Sequence, residues 1–293
     1  MKFLTFKHND NVRFGWLLED QKTIASVDPK DQTLPQSLIE VAESGVEAQQ
    51  ALIAAHQNQS FERFNIDEIE FLEPLVPGAI VCVGLNYSDH AAEVGKELTD
   101  HPTIFFRLAR SHVPHKQAIY TPNCSDTLDW EGELAVIIGK GGRHISAVNA
   151  KQHIFGYSIY NEGSVRRFQR HSTQFGLGKN FQASGAFGPV VVTADEFGDP
   201  YQHHIQTRID NEVVQSASIS NMLHSIEKVI AYLSTAMVLQ AGDVICTGTP
   251  SGVGVAQNPR RFLKHGETVE VEISGIGTLT NPVLDELNQE AVL

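Results

Sequence analysis

Residues 1–28 alternate in polarity, with Phe3 and Thr5, then Val12, Phe14 and Trp16, at every second position. Asn9-Asp10-Asn11 and Asp20-Gln21-Lys22 punctuate the pattern. A period of two broken by turn formers predicts short antiparallel strands. From Pro35, suited to a first helical turn, Leu38, Val41, Ala42, Val46, Leu52 and Ile53 fall near helical spacing. The polar stretch Gln57-Asn58-Gln59-Ser60 ends this strand-then-helix unit. A boundary is expected within residues 60–77, closed by Pro74 and Pro77-Gly78, giving a small domain over 1–70 and a larger one over 71–293. The chain shows no internal repeat and no low-complexity segment.

The larger part opens on the apolar run Ala79-Ile80-Val81-Cys82-Val83-Gly84, which reads as a buried strand. Ser88 or Asp89 can cap a short helix that places His90 and Glu93 on one face. Thr103-Ile104-Phe105-Phe106-Arg107 and Ala118-Ile119-Tyr120 predict further strands. A single strand is expected over residues 128–138, so that Asp129, Glu131 and Glu133 share a face. A short helix around 147–153 and the strand Phe155-Gly156-Tyr157-Ser158-Ile159-Tyr160 lead to Glu162, and residues 165–170 read as a helix. Gly176-Leu177-Gly178-Lys179-Asn180-Phe181 reads as a glycine-rich loop without the spacing of a phosphate-binding P-loop. Residues 203–209 and 212–216 flank Asp210-Asn211 as a hairpin, and Ile226, Val229, Ile230, Leu233 and Met237 mark an amphipathic helix. A strand then enters the Gly/Thr-rich loop Thr247-Gly248-Thr249-Pro250-Ser251-Gly252, whose glycines permit close backbone approach to a ligand.

Composition narrows the partners. The 293 residues are 41% hydrophobic and 19% charged, ordinary for a globular chain with a real core. The net charge of −13 argues against nucleic acid or an anionic membrane as partner. No apolar run approaches a membrane span, and the first residues lack a signal-peptide apolar core. Cys82, Cys124 and Cys246 are too few and scattered for a disulfide framework or zinc cluster, so all three are expected as buried free thiols in a reducing cytoplasm.

Three acids on one strand face repel one another unless cations or protons compensate them. Oxygen-only ligands suit Mg²⁺, Mn²⁺ or Ca²⁺, whereas the alternative is a solvated strand face. His90 beside Glu93 suits a general base held by a carboxylate, or is a surface pair. Glu162 at a strand end either aims into a site or caps a helix. Lys179 can hold a substrate carboxylate as a point charge. His112 and His115 either touch a distal carboxylate or lie at the surface.

Taken in order, several short pieces form a pattern: Gly84-Leu85-Asn86-Tyr87 with His90 and Glu93, Asp129-x-Glu131-x-Glu133-Leu134, Ser164-x-Arg166-x-x-Gln169, Gly178-Lys179, Gly188-Pro189, and Gly242-Asp243-x-Ile245-x-Thr247-Gly248-Thr249-Pro250-x-Gly252. Over residues 78–284 the chain resembles the fumarylacetoacetate hydrolase (FAH) family. The resemblance implies an α+β, mainly β architecture, with a mixed β-roll catalytic domain behind a small N-terminal α/β cap, usually a homodimer. It implies one Mg²⁺ or Mn²⁺ on Glu131 and Glu133, with Glu162 where the family normally has an Asp ligand. His90 and Glu93 become a water-activating dyad and Lys179 a transition-state contact. Arg166, Gln169 and Thr249 line the pocket, together with Arg107, where the family often has Lys. The implied reaction is hydrolytic C–C cleavage of a 2,4-dioxo acid, an acylpyruvate of the fumarylpyruvate or maleylpyruvate kind, in aromatic catabolism. The alternative is decarboxylation or tautomerisation of oxaloacetate, or hydration of a 2-oxo-4-enoate, and a third is a non-catalytic metal-binding protein.

Overall fold

The computed structural model describes residues 1–58, 61–93 and 100–286, so Gln59 and Ser60 of the expected boundary lie outside the described residues. The chain begins with β1 (Lys2–His8), β2 (Asn11–Leu17) and β3 (Thr23–Ser26), then α1 (Leu38–Ser44) and α2 (Val46–Asn58). The expected single helix is two, because Gly45 (φ 61°) turns the chain and its N–H closes α1 on the Val41 carbonyl. Ser37 caps α1 and Glu40 reaches back to the Gln36 N–H. Strands β4 (Glu62–Asn65) and β5 (Glu70–Phe71) follow.

Next come β6 (Ile80–Gly84), α3 (Ser88–Glu93), β7 (Thr103–Arg107), β8 (His112–Pro114) and β9 (Ile119–Thr121). The acidic stretch gives β10 (Leu128–Asp129) and β11 (Gly132–Ile138), followed by β12 (Ile154–Asn161) and β13 (Ser164–Val165). Two single-turn helices, α4 (Arg166–Gln169) and α5 (Gly176–Lys179), precede β14 (Gly185–Thr193) and α6 (Ala194–Phe197). The chain ends with β15 (His204–Ile209), β16 (Glu212–Ser218), α7 (Ile226–Ala236), β17 (Val244–Cys246), β18 (Thr268–Ile273) and β19 (Gly277–Asp285). The expected hairpin around Asp210-Asn211 is β15–β16, both turn residues having positive φ.

The fold is α+β and mainly β, as the sequence leads one to expect. Among the described residues, one sheet runs β4-β3-β2-β1-β14-β12-β11-β17-β6-β7, with β5 on β1 and β8 on β14. A second sheet runs β16-β15-β18-β19-β9, and β10 and β13 form a short ribbon. Every residue of β11 is buried, as befits a strand paired on both sides and covered on both faces. One face belongs to a core with α7, whose Ser225 cap and buried Ile226, Val229, Ile230 and Leu233 fit the predicted stripe. The other belongs to a core in which Phe3, Phe14 and Trp16 from the N-terminal strands join Ala135, Ile137 and Tyr160. Among the described residues no helix is long and apolar enough to cross a membrane.

The expected single strand over 128–138 is broken. Strand β10 pairs with β13, and β11 pairs with β12, leaving Trp130 and Glu131 outside both ladders. The Asp129 carboxylate causes the break by accepting from the Trp130, Gly254 and Val255 N–H groups at 2.8–2.9 Å. The Glu131 N–H instead goes to the Asn161 side chain. Gly132 is needed where β11 restarts, since a Cβ there would stand 2.3 Å from the Thr207 hydroxyl of the second sheet. Cys82 and Cys246 are buried and face each other in register across β6 and β17, whereas Cys124 is exposed, contrary to expectation.

Candidate active site

The acidic residues are not a solvated face. Asp129, Glu131, Glu133 and Glu162 are between 0 and 4% exposed. Ligand atoms of Glu131, Glu133 and Glu162 all lie within 4.8 Å of one another. Asp129 stands apart from that cluster and holds Arg166, whose Nε donates to it at 2.7 Å. The third acid arrives because the Glu162 N–H bonds the Glu131 carbonyl at 2.8 Å, bringing the end of β12 beside the break in the acidic stretch.

Cations offset part of this buried charge. Lys179 Nζ bridges Glu131 (2.8 Å) and Glu162 (2.6 Å), and sits 5.0 Å from the centre of the Phe105 ring. The glycine-rich segment that delivers it is the helix α5 rather than a loop. A side chain at Gly178 would lie 2.3 Å from the Gln169 backbone nitrogen, so glycine lets α5 pack directly on α4. From α4, Arg166 reaches Glu131 at 2.6 Å and donates to the Gln169 side chain at 3.0 Å, while its Nη2 is buried without a partner among the described residues. The Gly248 N–H donates to Glu133 at 2.8 Å, and the Thr249 hydroxyl donates to the Gly132 carbonyl. Gly248 (φ 96°) lies against Asn86, which ties the end of β6 to the His224 backbone and the Thr247 carbonyl.

Burial would lift the Glu131 carboxyl, yet Lys179 and Arg166 outweigh it and hold this group below the usual carboxylate range. Burial, followed by the charges of Glu162 and Glu131, pushes Glu133 well above that range. Burial also pushes Glu162 up to about 7 against the pull of Lys179. Burial and mutual repulsion thus raise two of the three carboxyls, a cost that a bound cation would relieve. Three converging carboxylates, all oxygen donors, fit a hard divalent ion.

His90 is 6% exposed, and its Nδ1 lies 3.3 Å from Glu93 Oε2. Glu93 Oε1 in turn accepts from the Gly252 N–H at 2.9 Å, and Asp89 accepts from Ser251, so helix α3 is pinned to the Gly/Thr-rich loop. His90, the three glutamates, Arg166, Gln169, Lys179 and Thr249 all line one cavity of about 800 Å³. Val83, Leu85, Phe105, Phe175 and Val255 make its apolar wall, with Leu85 held at φ 58°, a conformation that costs a branched residue energy.

Arg107, His112 and His115 lie elsewhere than expected. Arg107 does not line the cavity: fully buried, it donates to Glu162 at 3.3 Å, the Gly163 carbonyl at 2.8 Å, the Ser111 carbonyl and hydroxyl, and the Ser184 hydroxyl. It stands behind Glu162 rather than beside a ligand. His112 and His115 are neither at the surface nor in the cavity. His112 Nδ1 meets the Tyr160 hydroxyl at 3.0 Å, and His115 Nδ1 accepts from the Thr280 N–H. Burial pushes them down to about 3 and about 4 respectively, so both are neutral at physiological pH. Ser172, Thr173 and Phe175 also line the pocket, and beside them stands Arg170, which no motif singles out.

The comparisons fit this geometry. The family model described as fumarylacetoacetate (FAA) hydrolase C-terminal matches residues 79–284. The chain belongs to the fumarylacetoacetate hydrolase family. Among curated relatives of this family member, the Bacillus subtilis oxaloacetate tautomerase YisK is 35% identical, over 97% of this chain and all of its own. The mitochondrial oxaloacetate tautomerase fahd2 of Xenopus laevis is 36% identical over 97% of this chain and 90% of its own. Among solved structures, the fumarylacetoacetate hydrolase EaFAH from psychrophilic Exiguobacterium antarcticum superimposes with a TM-score of 0.85 at 35% identity. That match covers 98% of this chain and all of the other.

These relatives correct the expected reaction. Hydrolytic C–C cleavage of a 2,4-dioxo acid, and the setting in aromatic catabolism, give way because curated relatives matching almost the whole chain are named for oxaloacetate tautomerisation. The two reactions share their chemistry. Both reactions develop charge on the enolate of a 2-oxo acid, so both call for the acids, the ammonium and the histidine found here.

Proposed function

We propose that the protein is a divalent-metal-dependent keto–enol tautomerase acting on oxaloacetate. The observation that carries this reading is the convergence on one cavity of a buried triad of carboxylates, the Lys179 ammonium and a histidine held by Glu93. The names of the curated relatives favour tautomerisation among the reactions such a site supports.

Glu131, Glu133 and Glu162 would hold the ion, Mg²⁺ or Mn²⁺. When bound, it supplies Lewis-acid polarisation of the 2-oxo group, which acidifies the adjacent C3–H. His90 is the group that moves the proton. With its Nδ1–H donated to Glu93, Nε2 carries the lone pair and takes a proton from C3 as the electron pair of that C–H bond forms the C2–C3 double bond. Returning the proton to the oxygen at C2 gives the enol, and the reverse sequence restores the ketone, so no atom is gained or lost. Lys179 and Arg166 stabilise the negative charge that gathers on the substrate oxygens, in a cavity whose apolar wall strengthens the interaction. Arg107 acts at a distance by fixing Glu162. The free thiols of Cys82, Cys124 and Cys246 suit a reducing compartment.

The test is a freshly dissolved oxaloacetate solution with Mg²⁺ or Mn²⁺, followed by enol absorbance and by NMR of hydrogen–deuterium exchange at C3. The expected result is equilibration at least about a hundredfold faster than with metal alone, with all four carbons retained. Absence of acceleration, or pyruvate appearing faster than exchange, would overturn the reading.

A further inference from the structure

The buried cations of the cavity already have carboxylate partners, Arg166 keeping one free donor, Nη2, for the inner end of a ligand. Lys179 is shared between Glu131 and Glu162, and Arg166 between Asp129 and Glu131. Arg107 stands behind Glu162 and outside the cavity. The remaining cation in the lining is Arg170, one residue beyond α4. Its backbone is fixed, since its N–H bonds the carbonyls of Arg167 and Phe168, and Phe168 packs edge-on against Phe181 beneath it. Arg170 is exposed, and its guanidinium has no ion pair, hydrogen bond or ring contact among the described residues. Ser172 and Thr173 stand beside it in the lining, adding two hydroxyls. One cavity thus has a buried polar part, made of carboxylates and the cations paired with them, and an exposed part with an unpaired guanidinium. Val83, Leu85, Phe105, Phe175 and Val255 line the same cavity.

A 2-oxo monoacid needs only the buried part. An exposed, unpaired Arg in the lining suits a second carboxylate, which a guanidinium can receive through two parallel N–H donors. We propose that Arg170 is the specificity-determining residue that receives the distal carboxylate of a dicarboxylic 2-oxo acid, with Ser172 and Thr173 as auxiliary donors. The inference rests on the tautomerase reading for the identity of the acid turned over, but its binding part stands independently. It moves recognition of the distal carboxylate from His112 and His115, which are buried elsewhere, to the segment following α4.

The experiment compares Arg170→Gln and Arg170→Lys with the unaltered protein, all Mg²⁺-loaded. The probes are oxaloacetate, its monoacid counterpart 2-oxobutanoate, and oxalate, which is too short to span both parts. Two readouts are taken: C3 exchange kinetics by NMR, and apparent dissociation constants from ligand-induced thermal shifts. Arg170→Gln is expected to raise KM and the apparent Kd for oxaloacetate by about 10–100-fold, with most of the loss in KM rather than kcat. The preference for oxaloacetate over 2-oxobutanoate falls by the same factor, the oxalate constant moves by less than about threefold, and Arg170→Lys recovers part of the preference.

Equal shifts for the diacid and the monoacid, no shift for either, or no preference for the diacid in the unaltered protein would overturn the proposal. Should the unaltered protein fail to exchange C3 hydrogens yet prefer the diacid in an Arg170-dependent way, the tautomerase reading falls and the Arg170 assignment stands. Exchange with a preference indifferent to Arg170 overturns the Arg170 assignment and leaves the tautomerase reading standing.

Discussion

Glutamine at both Glu131 and Glu133 is expected to remove divalent-ion binding and to slow oxaloacetate enolisation by at least about a thousandfold, equivalent to roughly 4 kcal/mol of transition-state stabilisation. Two of three converging carboxylates are lost while their volumes are kept, so the change acts through charge and ligation rather than through packing. Glu131 also balances Lys179 and Arg166 at 2.8 and 2.6 Å, and its neutralisation leaves two buried cations sharing fewer anions. The double variant is therefore also expected to lose the metal-induced rise in thermal midpoint that the unaltered protein shows. Calorimetric titration with Mn²⁺ beside the C3 exchange assay checks both. Retained stoichiometric binding would reject the metal site, and retained turnover would reject the mechanism.

Arg107→Leu should have the largest effect on stability. The guanidinium is fully buried and satisfies a carboxylate, two carbonyls and two hydroxyls. Removing one partner of a buried ion pair strands the other, at a cost of about 3–5 kcal/mol. For a chain of this size that lowers the thermal midpoint by roughly 10 °C. Because Glu162 loses its rear support, metal affinity is expected to fall as well, and Arg107→Lys should recover only part, since one ammonium cannot reproduce the fork of donors. A midpoint within about 2 °C of the unaltered protein would show that Arg107 does not hold Glu162.

Much of this site was legible because its groups lie in short motifs. Glu131 and Glu133, with Gly132 between them, announce an acid pair, and His90 with Glu93 announces a held histidine. What was not legible depends on contacts between distant positions. Asp129 looks like a third member of the acidic face until Gly254 and Val255, more than a hundred residues later, hold its carboxylate and end the strand. Arg107 reads as a substrate contact until Ser111, Gly163 and Ser184 close around it. Arg170 carries no local signal, since its interest lies in lacking a partner, and periodicity does not report that. The helix break at Gly45 was available in the sequence, but the apolar spacing runs across it. The reaction itself was the least legible part, because hydrolysis and tautomerisation ask nearly the same of these side chains.

The seam between β1 and β14 has a consequence for how the chain folds. Lys2 and Phe3 pair with Val192 and Val191, and the terminal amine of Met1 donates to the Thr193 hydroxyl across 192 positions. Strands β1 and β2 can close early as a local hairpin. On its other edge Phe6 and Lys7 can be met by β5, but Lys2 and Phe3 wait for a strand made nearly two hundred residues later. Closing so long a loop is slow, and an unpaired apolar edge invites association with other chains meanwhile. This pairing is thus a step during synthesis at which the protein needs chaperoning, and it comes only after every acid of the candidate metal cluster has been made.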